Sequence, residues 1–215
     1  MSDPCAWLIA HGSSCAELLG FVSGTLCVYL VTRENIWNWP LGVITAAFYI
    51  VVFARSGLYS DTGLQVVYLV LSLYGWWHWT HGTRRERERA AAGGITSKGP
   101  VVVSHVPARE FMLLALIGIA FWLLLYAITS RIPGVNSPLL DSALASTSLV
   151  AQYMMTRKYV ENWILWIAVD VLYIGLYYVR NLHLTAVLYT VYLALAILGY
   201  IQWKRSYARV LSASS

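Results

Sequence analysis

Long apolar runs separated by short polar clusters set the pattern of this chain. Seven runs have the length of a membrane-crossing helix, about 20 residues. They cover roughly 14 to 32, 37 to 55, 62 to 80, 110 to 129, 138 to 156, 161 to 179 and 184 to 203. Hydrocarbon offers no partner for backbone N–H and C=O groups, so each run is predicted to be helical. The fifth is the most polar, with Asp141, Ser142, Ser146, Thr147, Ser148 and Gln152, and its small residues fit a helix buried among others. The sixth carries one acid, Asp170, near its middle. An Asp at the bilayer centre costs roughly 2.5–3.5 kcal/mol, so this one should face the protein interior or a watery cavity. Steps of three and four put Trp163, Trp166, Asp170, Tyr173 and Tyr177 on one stripe, which predicts an aromatic-lined cavity holding one anion.

The pattern also repeats. A shift of 124 positions brings the two ends of the chain into register without a gap. Tyr29, Thr32 and Arg33 fall on Tyr153, Thr156 and Arg157, and Asn38-Trp39 falls on Asn162-Trp163. Tyr49 meets Tyr173, Tyr68 meets Tyr192, Gly75 meets Gly199 and Trp79 meets Trp203. Chance agreement between apolar runs gives scattered Leu and Val matches, not paired Asn-Trp, Tyr, Gly and Trp over three helices. Two three-helix units joined directly would lie inverted, and one extra helix between them restores a common orientation. The predicted fold is therefore an all-α integral membrane protein of seven transmembrane helices, two parallel three-helix repeats joined by a linking helix. Its parts are a first repeat at 14–80, a cytoplasmic linker at 81–109, a linking helix at 110–129, a second repeat at 138–203 and a cytoplasmic tail at 204–215.

Composition supports a membrane protein: 59% of residues are hydrophobic and 12% charged, where soluble domains carry about a quarter. The net charge of +5 invites a nucleic-acid reading, but the basic residues sit between apolar runs, where membrane orientation explains them. One side collects Arg33, Arg84, Arg85, Arg87, Arg89, Lys98, Arg109, Arg157, Lys158, Lys204, Arg205 and Arg209; the other has only Arg55, Arg131 and Arg180. Positive residues stay inside, so the N-terminus is expected outside and the C-terminus in the cytoplasm. The 81–109 connection, with its Arg-Glu run and Gly93-Gly94, reads as mobile. Met1-Ser-Asp-Pro-Cys5 lacks the basic start of a signal peptide and is expected to stay attached. Cys5, Cys15 and Cys27 are an odd set without metal-ligand spacing and imply no disulfide framework.

Enzymatic signatures are missing: there is no His-Glu-x-x-His, no Gly-x-Ser-x-Gly and no Gly-rich phosphate loop. His11, His78, His81, His105 and His183 lie at run ends or between runs and indicate no metal cluster. A Schiff-base pigment needs a Lys inside a span, and Lys98, Lys158 and Lys204 lie outside or at the edges. What remains is a recognition surface. To the stripe of the sixth run, the second adds Trp39, Gly42, Ala46, Tyr49 and Phe53, the third Gln65, Tyr68, Ser72, Trp76 and Trp79, and the seventh Tyr189, Tyr192, Gly199 and Trp203, with Asn38 and Asn162 as further candidate contacts. One half offers rings and an acid where the other offers Gly and Ala, so the pocket is expected to be asymmetric. Aromatic faces stack on flat ligands and attract cations, and a carboxylate adds a counter-ion or a hydroxyl acceptor. Each residue also has a structural alternative. Trp39 and Trp163 suit the interfacial belt, Asn38 and Asn162 suit helix N-caps, and the tyrosines can pack between helices. Asp170 has no Lys or Arg at its depth, so a functional role is the better account of it.

Asn38-Trp-Pro-Leu-Gly-Val, Leu58-Tyr-Ser-Asp-Thr-Gly-Leu-Gln65, Tyr74-Gly-Trp-Trp-His-Trp79, Leu182-x-Leu-Thr-Ala-Val-Leu-Tyr189 and Gly199-x-x-x-Trp203 resemble the PnuC family of bacterial B-vitamin transporters. The likeness covers nearly the whole chain outside 81–109. It implies a fold similar to full-length SWEET sugar transporters, uptake of nicotinamide riboside across the inner membrane, a trimer, no cofactor, and facilitated diffusion with trapping by phosphorylation inside the cell. Relatives of the same architecture carry thiamine or riboflavin. Nicotinamide riboside and thiamine are aromatic cations that suit Asp170, whereas neutral riboflavin needs no counter-ion, so nicotinamide riboside ranks first. The scarcity of deep charges leaves ion coupling little to act on. The rival from another class is a membrane receptor or assembly subunit whose aromatic residues only pack helices.

Overall fold

The structure is a computed structural model and describes residues 15–55, 59–83, 86, 88, 101–132, 137–179 and 183–214. The first 14 residues, the connections at 56–58 and 180–182, and the interior of the expected linker at 89–100, with Arg89 and Lys98, lie outside the described residues, as do Arg84, Arg85 and Arg87.

Each apolar run forms one helix: α1 (Cys15–Thr32), α2 (Asn38–Arg55), α3 (Tyr59–His81), α4 (Ala108–Thr129), α5 (Pro138–Thr156), α6 (Asn162–Val179) and α7 (His183–Ser214). The last continues beyond the apolar run because Lys204, Arg205, Ala208 and Arg209 are good helix formers in water. Among the described residues α4, α6 and Thr185–Arg209 are long and apolar enough to cross a membrane, and Val22–Thr32 and Asn38–Val51 are shorter apolar helices.

The helix pairs in contact are α1 with α2, α2 with α3, α3 with α5, α5 with α6, α6 with α7, and α7 with α1. Six helices thus close a ring, and α4 packs on α5. The polarity of α5 follows from that position. Ser146 Oγ donates to Gly118 O of α4 at 2.7 Å, and Ser142 Oγ meets Thr129 Oγ1 at 3.0 Å. These hydrogen bonds satisfy hydroxyls that lipid could not.

The α1–α2 and α5–α6 turns share one geometry. Glu34 and Lys158 hold φ of 54° and 53°, the left-handed conformation that closes a helix. Glu34 N donates to Val31 O and Asn35 N to Leu30 O, while Lys158 N donates to Met155 O and Tyr159 N to Met154 O. This is the paired bonding of a Schellman cap, formed twice at positions 124 apart. Beyond each cap, Trp39 packs edge-on against Trp79 at 5.3 Å, and Trp163 against Trp203 at 5.4 Å. Gly75 and Gly199 make room for them, since a Cβ at either would fall inside the facing indole. Trp79 and Trp203 meet at 6.2 Å and join the two halves.

The final part of the 81–109 connection packs against the bundle. Val101 and Val103 are buried, and Ser104 exchanges backbone hydrogen bonds with Lys158 O and Val160 N. Glu161 accepts from Val106 N and contacts His105 Nδ1 at 2.5 Å. Polar composition concealed these apolar Val residues, which tie the chain to the α5–α6 turn before α4 begins.

Candidate functional site

The six ring helices enclose a cavity of about 450 Å³, within the range of small-molecule sites. Its wall is built largely from repeat-equivalent positions: Gly24 and Ser148, Val28 and Gln152, Val31 and Met155, Trp39 and Trp163, Gly42 and Trp166, Ala46 and Asp170, Gln65 and Tyr189, Tyr68 and Tyr192. Helical spacing explains the grouping. On α2 and on α6 the wall residues recur at steps of three and four from Trp39 and Trp163, and the stripe faces the ring centre.

The asymmetry lies in the side chains. At two successive turns α6 projects Trp166 and Asp170 where α2 leaves Gly42 and Ala46. Asp170 is 3% exposed, and among the described residues it makes no ion pair. Further along, Tyr173 and Tyr189 lie 4.7 Å apart between ring centres and Tyr189 and Tyr192 5.6 Å. Among the described residues, four buried polar atoms on the wall make no hydrogen bond: Asn38 Oδ1 and the indole Nε1 atoms of Trp39, Trp163 and Trp166. Leaving such a group unsatisfied costs about 1–3 kcal/mol. The wall therefore offers a carboxylate and aromatic faces to whatever enters, with the indole N–H groups covered by their neighbours.

Of the residues singled out in the sequence, Asp170, Trp166, Tyr173, Trp163, Gln65, Tyr68, Tyr189, Tyr192 and Asn38 stand on this wall. Tyr177, Tyr49, Asn162, Trp76, Trp79, Gly199 and Trp203 do not, and the Phe53 side chain lies outside the described residues. Tyr177 lies one turn past the wall and stacks on Tyr173 at 5.6 Å. Asn162 is fully buried, with Nδ2 donating to Tyr159 O at 2.5 Å, so it secures the α5–α6 turn. The contributions of α1 (Gly24, Cys27, Val28, Val31) and of α5 (Ser148, Gln152, Met155) were missed. The shift of 124 could have found them, because Gly24, Val28 and Val31 map onto Ser148, Gln152 and Met155. Among the described residues no three His, Cys, Asp or Glu side chains gather as metal ligands.

A second polar cluster lies where the ends of α3 and α5 meet the start of α4. Arg157 Nη1 contacts His78 Nε2 at 3.3 Å and Arg157 Nη2 contacts Glu86 at 3.8 Å, while Tyr159 Oη donates to Glu110 at 2.6 Å. Burial pushes the Tyr159 phenol up, and its bond to Glu110 adds to this, bringing it to about 12.

A ring of helices with apolar outer faces and a central polar, aromatic cavity defines a multi-pass membrane protein with an internal small-molecule site. A family model described as nicotinamide mononucleotide transporter matches residues 14–205, and the chain belongs to that family. It is a membrane transporter and not an enzyme. The chain is 27% identical to the nicotinamide riboside transporter PnuC of Escherichia coli strain K12, with 88% of this chain and 85% of that protein covered. It is 25% identical to the riboflavin/roseoflavin transporter RibM of Streptomyces davaonensis, covering 87% and 84%. A crystal structure of the vitamin B3 transporter PnuC superposes with a TM-score of 0.69 at 25% identity, covering 95% of this chain and 86% of that one.

Proposed function

We propose that the protein takes up a B-vitamin nucleoside, nicotinamide riboside first, across the bacterial inner membrane by facilitated diffusion. The observation that carries this reading is Asp170, a buried carboxylate on the wall of an aromatic cavity. A pyridinium cation matches the carboxylate and the rings, and ribose hydroxyls match Gln65. The curated PnuC relatives support the same substrate. The ring order and the doubled caps support the 3+1+3, SWEET-like arrangement, with α4 as the linking helix. Transport then proceeds by alternating access, the two repeats rocking about the central cavity. The N-terminus lies outside, the end of the bundle carrying Arg33, Arg157 and Lys158 faces the cytoplasm, and the chains assemble as a homo-oligomer with three copies as the expectation.

The RibM relative favours a second reading, a neutral flavin stacked on the same rings. Purified protein titrated with nicotinamide riboside, thiamine and riboflavin separates these, read by quenching of tryptophan fluorescence. Saturable quenching by the riboside below millimolar concentration is expected, and Asp170→Asn should weaken it about tenfold to a hundredfold, the loss of one charge-assisted contact. Saturation by riboflavin alone would select the flavin reading. No saturable signal with any of the three would favour a receptor or assembly subunit.

A further inference from the structure

The cavity is closed at one end by contacts that cross between the repeats, and a buried ion pair sits at their centre. Glu34 and Lys158 occupy equivalent positions, 124 residues apart, with opposite charges. Each is the left-handed residue that caps the first helix of its repeat, so the two caps bring the side chains face to face. Lys158 Nζ lies 3.3 Å from Glu34 Oε2, with side chains 1% and 6% exposed. Each charge is also held by the third helix of the other repeat. Ser206 Oγ of α7 donates to Glu34 Oε1 at 2.6 Å, and Lys158 Nζ stands 4.3 Å over the Trp79 ring of α3. The adjoining indoles bond the same way: Trp79 Nε1 donates to Thr156 O and Trp203 Nε1 to Val31 O, both at 3.1 Å.

We infer that the Glu34–Lys158 pair is the latch of a gate, holding the repeats together at the end of the cavity where α1 and α5 finish. The inference rests on the transport reading above, since alternating access requires the repeats to part at this end in one half of the cycle. Every contact named here crosses the repeat boundary, so parting the repeats breaks all of them together. A buried pair suits a latch because its members need each other only while buried; once water enters, both charges are solvated and the closed state loses its hold. Opposite charges at one repeat position explain why the latch is a single pair on the local two-fold relation.

Cys27 lines the cavity and reports on the gate without any added residue. With Cys5 and Cys15 replaced by Ser, a membrane-impermeant thiol reagent is applied to right-side-out and to inverted membrane vesicles. Glu34→Gln, Lys158→Met and the double variant should each raise Cys27 labelling roughly tenfold from the face that carries the α1–α2 turn, as a minor open state becomes a major one. Labelling from the opposite face should stay level or fall. The double variant leaves no lone buried charge, so its melting temperature should be nearer the parent's than that of either single variant, which keeps the test interpretable if a single variant folds poorly. Unchanged labelling from the turn face, or an equal rise from both faces, would overturn the latch and leave only a structural ion pair. The assay contains no vitamin, so its failure is distinct from a failure of the substrate reading.

Discussion

At the scale of single residues, the site depends on the rings and the acid on its wall. Trp166 contributes a ring face and a buried Nε1 that has no hydrogen-bond partner among the described residues. Trp166→Phe keeps most of the face and removes the donor, so riboside affinity should fall by about threefold to tenfold, the worth of one neutral hydrogen bond. Isothermal titration checks this, and an unchanged affinity would place the indole N–H away from the ligand. Gly42 is the repeat equivalent of Trp166 on the same wall, and a Cβ there would stand 3.2 Å from Ser72 Oγ, so Gly42→Trp would press on α3 and narrow the cavity. Loss of binding with the helical circular-dichroism spectrum retained is expected.

At the scale of elements, two doubled features hold the ring together: the Schellman caps and the indole pairs seated on glycine. Gly75→Ala or Gly199→Ala forces an indole out of its seat and should cost about 1–3 kcal/mol, seen as a lower melting temperature in detergent. A smaller clamp lies just past α3. Burial acts to raise the Glu86 carboxyl, but hydrogen bonds from His78 and Thr83 outweigh it and bring the group down to about 2. A depressed acid contributes stability above its unfolded value near 4.5 and loses it as pH falls toward 2. Glu86→Gln should therefore remove part of the acid-induced drop in melting temperature within that window, and an identical pH profile would show the clamp to be inert. Helix positions were legible in the sequence because length and hydropathy decide them in a bilayer. The shift of 124 also carried the wall, through Trp39 with Trp163 and Tyr68 with Tyr192. Much of what stayed hidden was carried by small or apolar residues, Gly24 and Val28 on the wall and Val101 and Val103 in a connection that composition marked as mobile, while Ser148 and Gln152 sat unremarked in a helix whose polarity suited burial among others. Tyr177 and Asn162 share the stripe or its start, yet one lies a turn too far along and the other is spent on its own turn. Periodicity gives the face of a helix but not the depth of the hollow.

At the scale of the whole molecule, six helices ring an asymmetric hollow, closed at one end by contacts such as Glu34–Lys158. With Asp170 the buried acid on the wall and no ion pair to it among the described residues, transport should run down the substrate gradient alone. Uptake by proteoliposomes should survive collapse of proton and sodium gradients, and dependence on either would call for a coupling site elsewhere. A fluorescent protein fused to the C-terminus should glow in the cytoplasm, and a dark fusion would reverse the orientation. The central claim is that the Asp170 carboxylate selects a flat cation. Its most direct test compares the binding of nicotinamide riboside with that of its uncharged dihydro form, in the parent protein and in Asp170→Asn. The parent should prefer the cation by about tenfold or more, and the variant should lose that preference while still binding the neutral form. Equal binding of the two forms by the parent, or a preference that survives in Asp170→Asn, would contradict the account.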